Sequence, residues 1–116
     1  MIPVAGRHLL ADFSGCRNLH DGEAIEAALR ASAAACGATL LSVHLHRFGE
    51  GAGITGVALL AESHISIHTW PETGFAALDI FVCGQCDPHA AIPVLTSAFT
   101  PERIRVSEHR RGGQAD

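Results

Sequence analysis

Alternation is the feature of this sequence that most restricts its fold. Within residues 64–70, His64, Ser66 and His68 share one parity while Ile65 and Ile67 share the other. Within 75–83, Asp79, Phe81 and Cys83 alternate with Leu78, Ile80 and Val82. Within 38–48, His44, His46 and Phe48 alternate with Leu41, Val43 and Leu45. Neighbouring side chains on a strand face opposite ways. Each segment therefore has one aliphatic face suited to a cover of helices and one face bearing chemistry.

Residues 6–14, 54–62 and 102–109 are also predicted as strands. A helix is predicted from an N-cap at Asp21 to about Cys36, with Ile25, Ala28, Leu29 and Cys36 on one face. Ser32 is the polar member of that face, and its hydroxyl is expected to bond back to the Ala28 carbonyl. Glu26 and Arg30 form an outward i,i+4 pair, and Gly37 is a natural stop. A second helix, 89–100, contains Pro93. A proline inside a helix costs about 3 kcal/mol, so this helix either starts near Ile92 or is kinked. The order β-α-β-β, β-β-α-β describes two similar halves. The expected fold class is α+β, a two-layer sandwich of antiparallel sheet covered by helices.

Composition narrows the chemistry. At 116 residues the chain is one domain's worth. All eight basic residues are arginine, so mechanisms built on a lysine imine or a P-loop lysine are excluded. A net charge of −4 without a basic stripe argues against nucleic acid as partner. Arg103, Arg105, Arg110 and Arg111 read as a solvated strand edge and tail. Residues 1–4 lack the charged and apolar regions of a signal peptide, and no apolar run reaches the ~18–20 residues of a membrane span. Four cysteines in that setting point to reduced thiols in a cytoplasm. A mean hydropathy of +0.22 is high for a small monomer and points to an oligomer interface.

Several constellations compete as sites. Cys83-x-x-Cys86 with His89 has zinc-like spacing, but no second CxxC exists to complete four ligands. His64 and His68 would lie about 13 Å apart on a strand at ~3.3 Å per residue, too far for one ion. No metal is expected. A redox CxxC would place its first cysteine at a helix start, whereas Cys83 falls at a strand end. Cys16 and Cys36 read as small core or loop residues. Ser63 beside His64 lacks the Gly-x-Ser-x-Gly of a nucleophile elbow. Periodicity alone reads this region as a strand pair with surface histidines.

The run ESHISIHTWPETGFAALDIFVCG, residues 62–84, closely resembles the core of the prokaryotic pyruvoyl-dependent S-adenosylmethionine decarboxylases. The similarity extends through GRHLLADFSGC, CGATLL and HRF to the C-terminal VSEH, nearly the whole chain. The resemblance implies a proenzyme that cuts itself between Glu62 and Ser63 into a β chain, 1–62, and an α chain, 63–116. Ser63 Oγ would attack the Glu62 carbonyl, giving an ester by N→O acyl shift. Elimination across Cα–Cβ of Ser63 would release Glu62 as a carboxylate and leave dehydroalanine. Loss of ammonia would then leave a pyruvoyl group on residue 63.

By the same resemblance His68 is the proton acceptor in processing, a role suited to a group with pKa near 6.5. His68 and Ser63 differ in strand parity, so a turn or bend after Ser63 is expected. Thr55 stands where the family often has a serine, and it keeps the supporting hydroxyl. The pyruvoyl ketone would form an imine (Schiff base) with S-adenosylmethionine and act as electron sink for decarboxylation, with Cys83 as the proton donor. Phe48 is a candidate to stack on adenine and Glu72 to bind ribose hydroxyls. The product would be the aminopropyl donor for spermidine, and the family pattern is a homodimer of cleaved protomers. The rival readings are a pyruvoyl-dependent arginine or ornithine decarboxylase, and a non-catalytic, metal-binding oligomeric domain.

Overall fold

The computed structural model describes residues 3–113. Its elements follow the expected order: β1 (Val4–Ser14), α1 (Gly22–Cys36), β2 (Leu40–Arg47), β3 (Ile54–Leu60), β4 (Ser63–Trp70), β5 (Phe75–Cys83), α2 (Ala91–Phe99) and β6 (Arg103–Gly112). The six strands form one antiparallel sheet in the order β2-β3-β4-β5-β1-β6. The halves are interleaved, since β1 of the first lies between β5 and β6 of the second.

The alternation decides which face is covered. Leu9, Ala11, Phe13, Ile54, Ala58, Ile65, Ile67, Leu78, Ile80 and Val82 are buried against Ile25, Leu29, Leu95 and Phe99 of the two helices. Burying such side chains stabilises by about 1.5–3 kcal/mol each. Gly56 on β3 is required by this contact. A Cβ there would lie 2.7 Å from Leu45 Cδ2 and 3.4 Å from Leu29 Cδ1. Thr69 is the polar exception on the covered face. Its hydroxyl donates to Leu19 O at 2.7 Å and accepts from Ile54 N–H at 2.9 Å, tying the loop before α1 to the sheet.

Helix α1 is capped as its sequence implies. The Asp21 side chain accepts from Ala24 N–H, and Gly37 closes the helix at φ 80°. Glu26 and Arg30 pair at 2.9 Å. Ser32 departs from expectation, for its buried hydroxyl has no hydrogen-bond partner, Ala28 O included. A 3₁₀ turn, Pro88–Ala90, leads into α2. Pro93 is then the third residue of α2, in the first turn where its missing N–H has no helical acceptor to lose.

One register and two boundaries depart from expectation. A register irregularity between Leu40 and Ser42 breaks the alternation of β2, so Leu41 is exposed rather than covered. Strand β3 ends at Leu60, not at residue 62, because Glu62 takes φ +68° and turns the chain. Strand β6 runs to Gly112, which places Arg110 and Arg111 on the sheet and not in a tail.

Candidate active site

The face of the sheet opposite the helices carries the polar residues. Two clusters lie at opposite ends of β4, one of them around Ser63, which has the parity of the covered Ile65 and Ile67. At one end, Glu62 and Ser63 make the tight turn between β3 and β4. A non-glycine residue at positive φ costs about 1–3 kcal/mol, so the Glu62–Ser63 peptide bond sits next to stored strain. The Ser63 hydroxyl is half-buried and turned back on this turn, 3.5 Å from Ala61 O. Cys83, at the end of β5, donates its S–H to Glu62 Oε2 at 3.8 Å. Burial, with Cys86 and the Glu62 carboxylate adding to it, pushes the Cys83 thiol above its ordinary value. A thiol in that state keeps its proton at neutral pH.

At the other end, Thr55 Oγ1 lies 3.1 Å from His68 Nδ1 across the β3–β4 pair. The two line a cavity of about 450 Å³ together with Phe48, Ala52, Gly53, Trp70 and Glu72. His46 stacks edge-on against Phe48, with ring centroids 4.6 Å apart. Trp70 lies between His68 and Phe75, with centroids at 6.4 and 5.4 Å. Trp70 was not singled out from sequence as a site residue, although it shares the parity of His64, Ser66 and His68.

The expected bend after Ser63 is absent. Strand β4 keeps register with β3 from Ser63 to His68 and with β5 from His64 to Trp70. Both neighbours hold its backbone, leaving no room for a bulge. Ser63 and His68 of one chain are therefore about 16 Å apart at ~3.3 Å per residue. Glu62, Ser63 and Cys83 gather at one end, while Thr55, His68, Phe48 and Glu72 gather at the other.

Between these clusters lies a third, formed by His8, His64, Ser66 and Asp79. Asp79 Oδ2 lies 2.6 Å from His8 Nε2 and 2.7 Å from His64 Nε2, and Oδ1 accepts from the Ser66 hydroxyl. Burial alone would raise the Asp79 carboxyl, but the hydrogen bonds from Ser66, His8 and His64 outweigh it and hold the group below its ordinary value. The two imidazoles and one carboxylate could surround an ion. Arg111, however, presents Nη1–H to His8 Nδ1 at 3.0 Å. A metal-bound imidazole donates from its second nitrogen, and a guanidinium cannot accept. The arrangement therefore fits a hydrogen-bond network better than a metal centre.

The zinc-like candidates disperse. His89 pairs with Glu108 at 2.5 Å, and Cys86 donates to Gly37 O at 3.4 Å. All four cysteines are free. Burial pushes the Cys16 and Cys36 thiols up to about 11, in keeping with packing roles.

Comparison with known proteins places the chain in a family. Residues 7–112 match the family model described as S-adenosylmethionine decarboxylase. The chain belongs to that family. It is 45% identical over 108 residues to an S-adenosylmethionine decarboxylase proenzyme of Thermomicrobium roseum, covering 92% of this chain and 93% of that one. It is 48% identical over 110 residues to a proenzyme of the same name from Methanococcus maripaludis, covering 92% and 89%. The crystal structure of the adenosylmethionine decarboxylase from Aquifex aeolicus superposes with a TM-score of 0.84 at 36% identity, covering 97% of this chain and 95% of that one. For this decarboxylase-family chain, the α+β sheet with helices on one face is thus shared with a solved relative. Among the described residues no helix is long and apolar enough to cross a membrane.

Proposed function

We propose that this chain is a self-processing decarboxylase of S-adenosylmethionine, supplying the aminopropyl donor of spermidine synthesis. The strained turn at Glu62, directly before Ser63 and beside the Cys83 thiol, carries the reading. Ser63 Oγ attacks the Glu62 carbonyl carbon and the peptide nitrogen leaves it. Elimination then breaks Cβ–O and frees the Glu62 carboxylate, and water releases ammonia. Residues 1–62 and 63–116 remain associated through the sheet. Ser63 fits this role, as it heads a strand, is reachable by solvent and follows the strained residue.

The pyruvoyl group left at residue 63 supplies a ketone that accepts the electrons released with carbon dioxide. Cys83, protonated at neutral pH, returns a proton to the substrate carbon. Phe48 offers a face to adenine, with Trp70 as a second aromatic wall. Glu72 meets ribose hydroxyls and attracts the positive sulfonium. Thr55 orients His68, which takes the proton during processing.

One chain cannot bring His68 to its own Ser63 across about 16 Å of straight strand. We therefore place His68, Thr55, Phe48 and Glu72 of one protomer against Ser63 and Cys83 of a second copy. A two-fold dimer pairs residue i with j and j with i, completing two sites at once. The sheet face left bare of helices supports this, since it exposes Leu10, Leu59 and Trp70. Four free thiols are in keeping with a cytoplasmic setting.

Intact-mass spectrometry and carbon dioxide release test the reading together. The purified protein should show two fragments split at Glu62/Ser63, and S-adenosylmethionine should release carbon dioxide where arginine and ornithine do not. A single full-length mass, or release from the amino acids alone, contradicts it.

A further inference from the structure

Asp79 lies in the middle of the polar face, outside the roles assigned above, and both its oxygens accept from side chains of other elements. Oδ2 meets His8 of β1 and His64 of β4, and Oδ1 meets Ser66 of β4. One carboxylate on β5 thus bridges three neighbouring strands. The protons in this network can be placed. Arg111 donates to His8 Nδ1, and a guanidinium only donates. His8 Nδ1 is therefore the acceptor, and the His8 proton sits on Nε2, directed at Asp79. His64 Nε2 lies against the same oxygen and must also present its N–H there. The His8 ring is further held against Phe81, which lies between the two histidines in register, with centroids 5.1 Å apart.

His64 directly follows Ser63. Once the chain is cut, residue 63 is a chain end, and the first side chain anchoring it to the sheet is His64. We propose that Asp79 is a positioning residue for the reaction: by fixing the Nε2–H form and the orientation of His64, it holds residue 63 in place at the start of β4. This rests on the reading of Ser63 and Cys83 given above. Asp79 touches neither substrate nor the reacting atoms, and acts through His64.

The variant that tests this is Asp79→Asn, which keeps shape but replaces one acceptor oxygen with a donor. A carboxamide cannot accept from His8, His64 and Ser66 at once, and it carries no charge, so the charge-assisted hold on the two histidines is lost. Misplacement of a reacting group by about 1 Å can cost about a hundredfold in rate. We expect cleavage and kcat to fall about ten- to a hundredfold, with KM within about threefold. The imidazole ¹⁵N signals of His8 and His64 should shift in the same variant. Should Asp79→Asn fail to fold, Ser66→Ala removes one donor and should lower kcat severalfold in the same direction. Unchanged cleavage and kcat in the variant that folds, or unmoved imidazole signals in folded Asp79→Asn, overturn the proposal while leaving an active wild type as read. A wild type that neither cleaves nor releases carbon dioxide overturns both.

Discussion

The two ends of β4 differ in what they hold and in what they lack. The Ser63 end has a strained turn, a hydroxyl and a protonated thiol. The His68 end has an imidazole with a hydroxyl partner and a cavity of about 450 Å³ with aromatic and acidic walls, but no reacting group. The residues proposed above for bond-making and for binding are thus kept apart by a straight strand paired on both sides from His64 to His68. Rigid sheet suits both tasks, because a site on strands is held more tightly than one on loops. On the proposed function, this separation means that neither end is a site alone.

The largest expected effect lies at the Ser63 end. Cys83→Ala should leave cleavage intact while decarboxylation of S-adenosylmethionine falls by about 10²–10⁴, the usual weight of a positioned proton donor. Normal turnover in that variant would remove Cys83 from the chemistry. In the wild type, the raised thiol predicts that kcat holds on the alkaline side until pH passes the ordinary thiol value of about 8.5. Loss of activity already at neutral pH would contradict that.

At the His68 end, Phe48→Ala should raise KM for S-adenosylmethionine by about tenfold, in line with the 1–3 kcal/mol of stacking on an aromatic face. Cleavage should be untouched. Slowed cleavage with unchanged KM would reverse the assignment of the two ends.

A smaller effect concerns the region between them. The Asp79 carboxyl is lowered in the folded state. Its contribution to stability is therefore present above the unfolded value of about 3.9 and is lost as pH falls through the folded value. Acid unfolding followed by circular dichroism should be less steep below pH ~4 in Asp79→Asn than in the wild type. Identical acid profiles would mean the network carries no such coupling.

Much of this was legible in the sequence, for physical reasons that differ by residue. The covered and bare faces follow from period-two alternation, which is why Ile65, Ile67 and Ile80 are buried and His64 and Asp79 are not. Leu41 escaped because a register irregularity leaves no trace in alternation. The turn at Glu62 escaped because glutamate is no left-handed former, and strain at a reacting bond runs against local preference. His8 and Asp79 meet only through the pairing of β1 with β5, a contact that no local pattern encodes. The parity mismatch of Ser63 and His68 was visible, and a bend was the expected remedy. The strand stays straight, and a second copy is the remedy proposed here.

Co-expression of Ser63→Ala with His68→Ala, read by intact mass, tests that division most directly. Each variant alone should remain uncleaved. Together they should form a mixed dimer in which the Ser63→Ala chain lends its His68 to the other. The account predicts a new 63–116 fragment that carries the His68→Ala substitution and a pyruvoyl end. Two uncleaved masses after co-expression, or full cleavage of His68→Ala by itself, would contradict it.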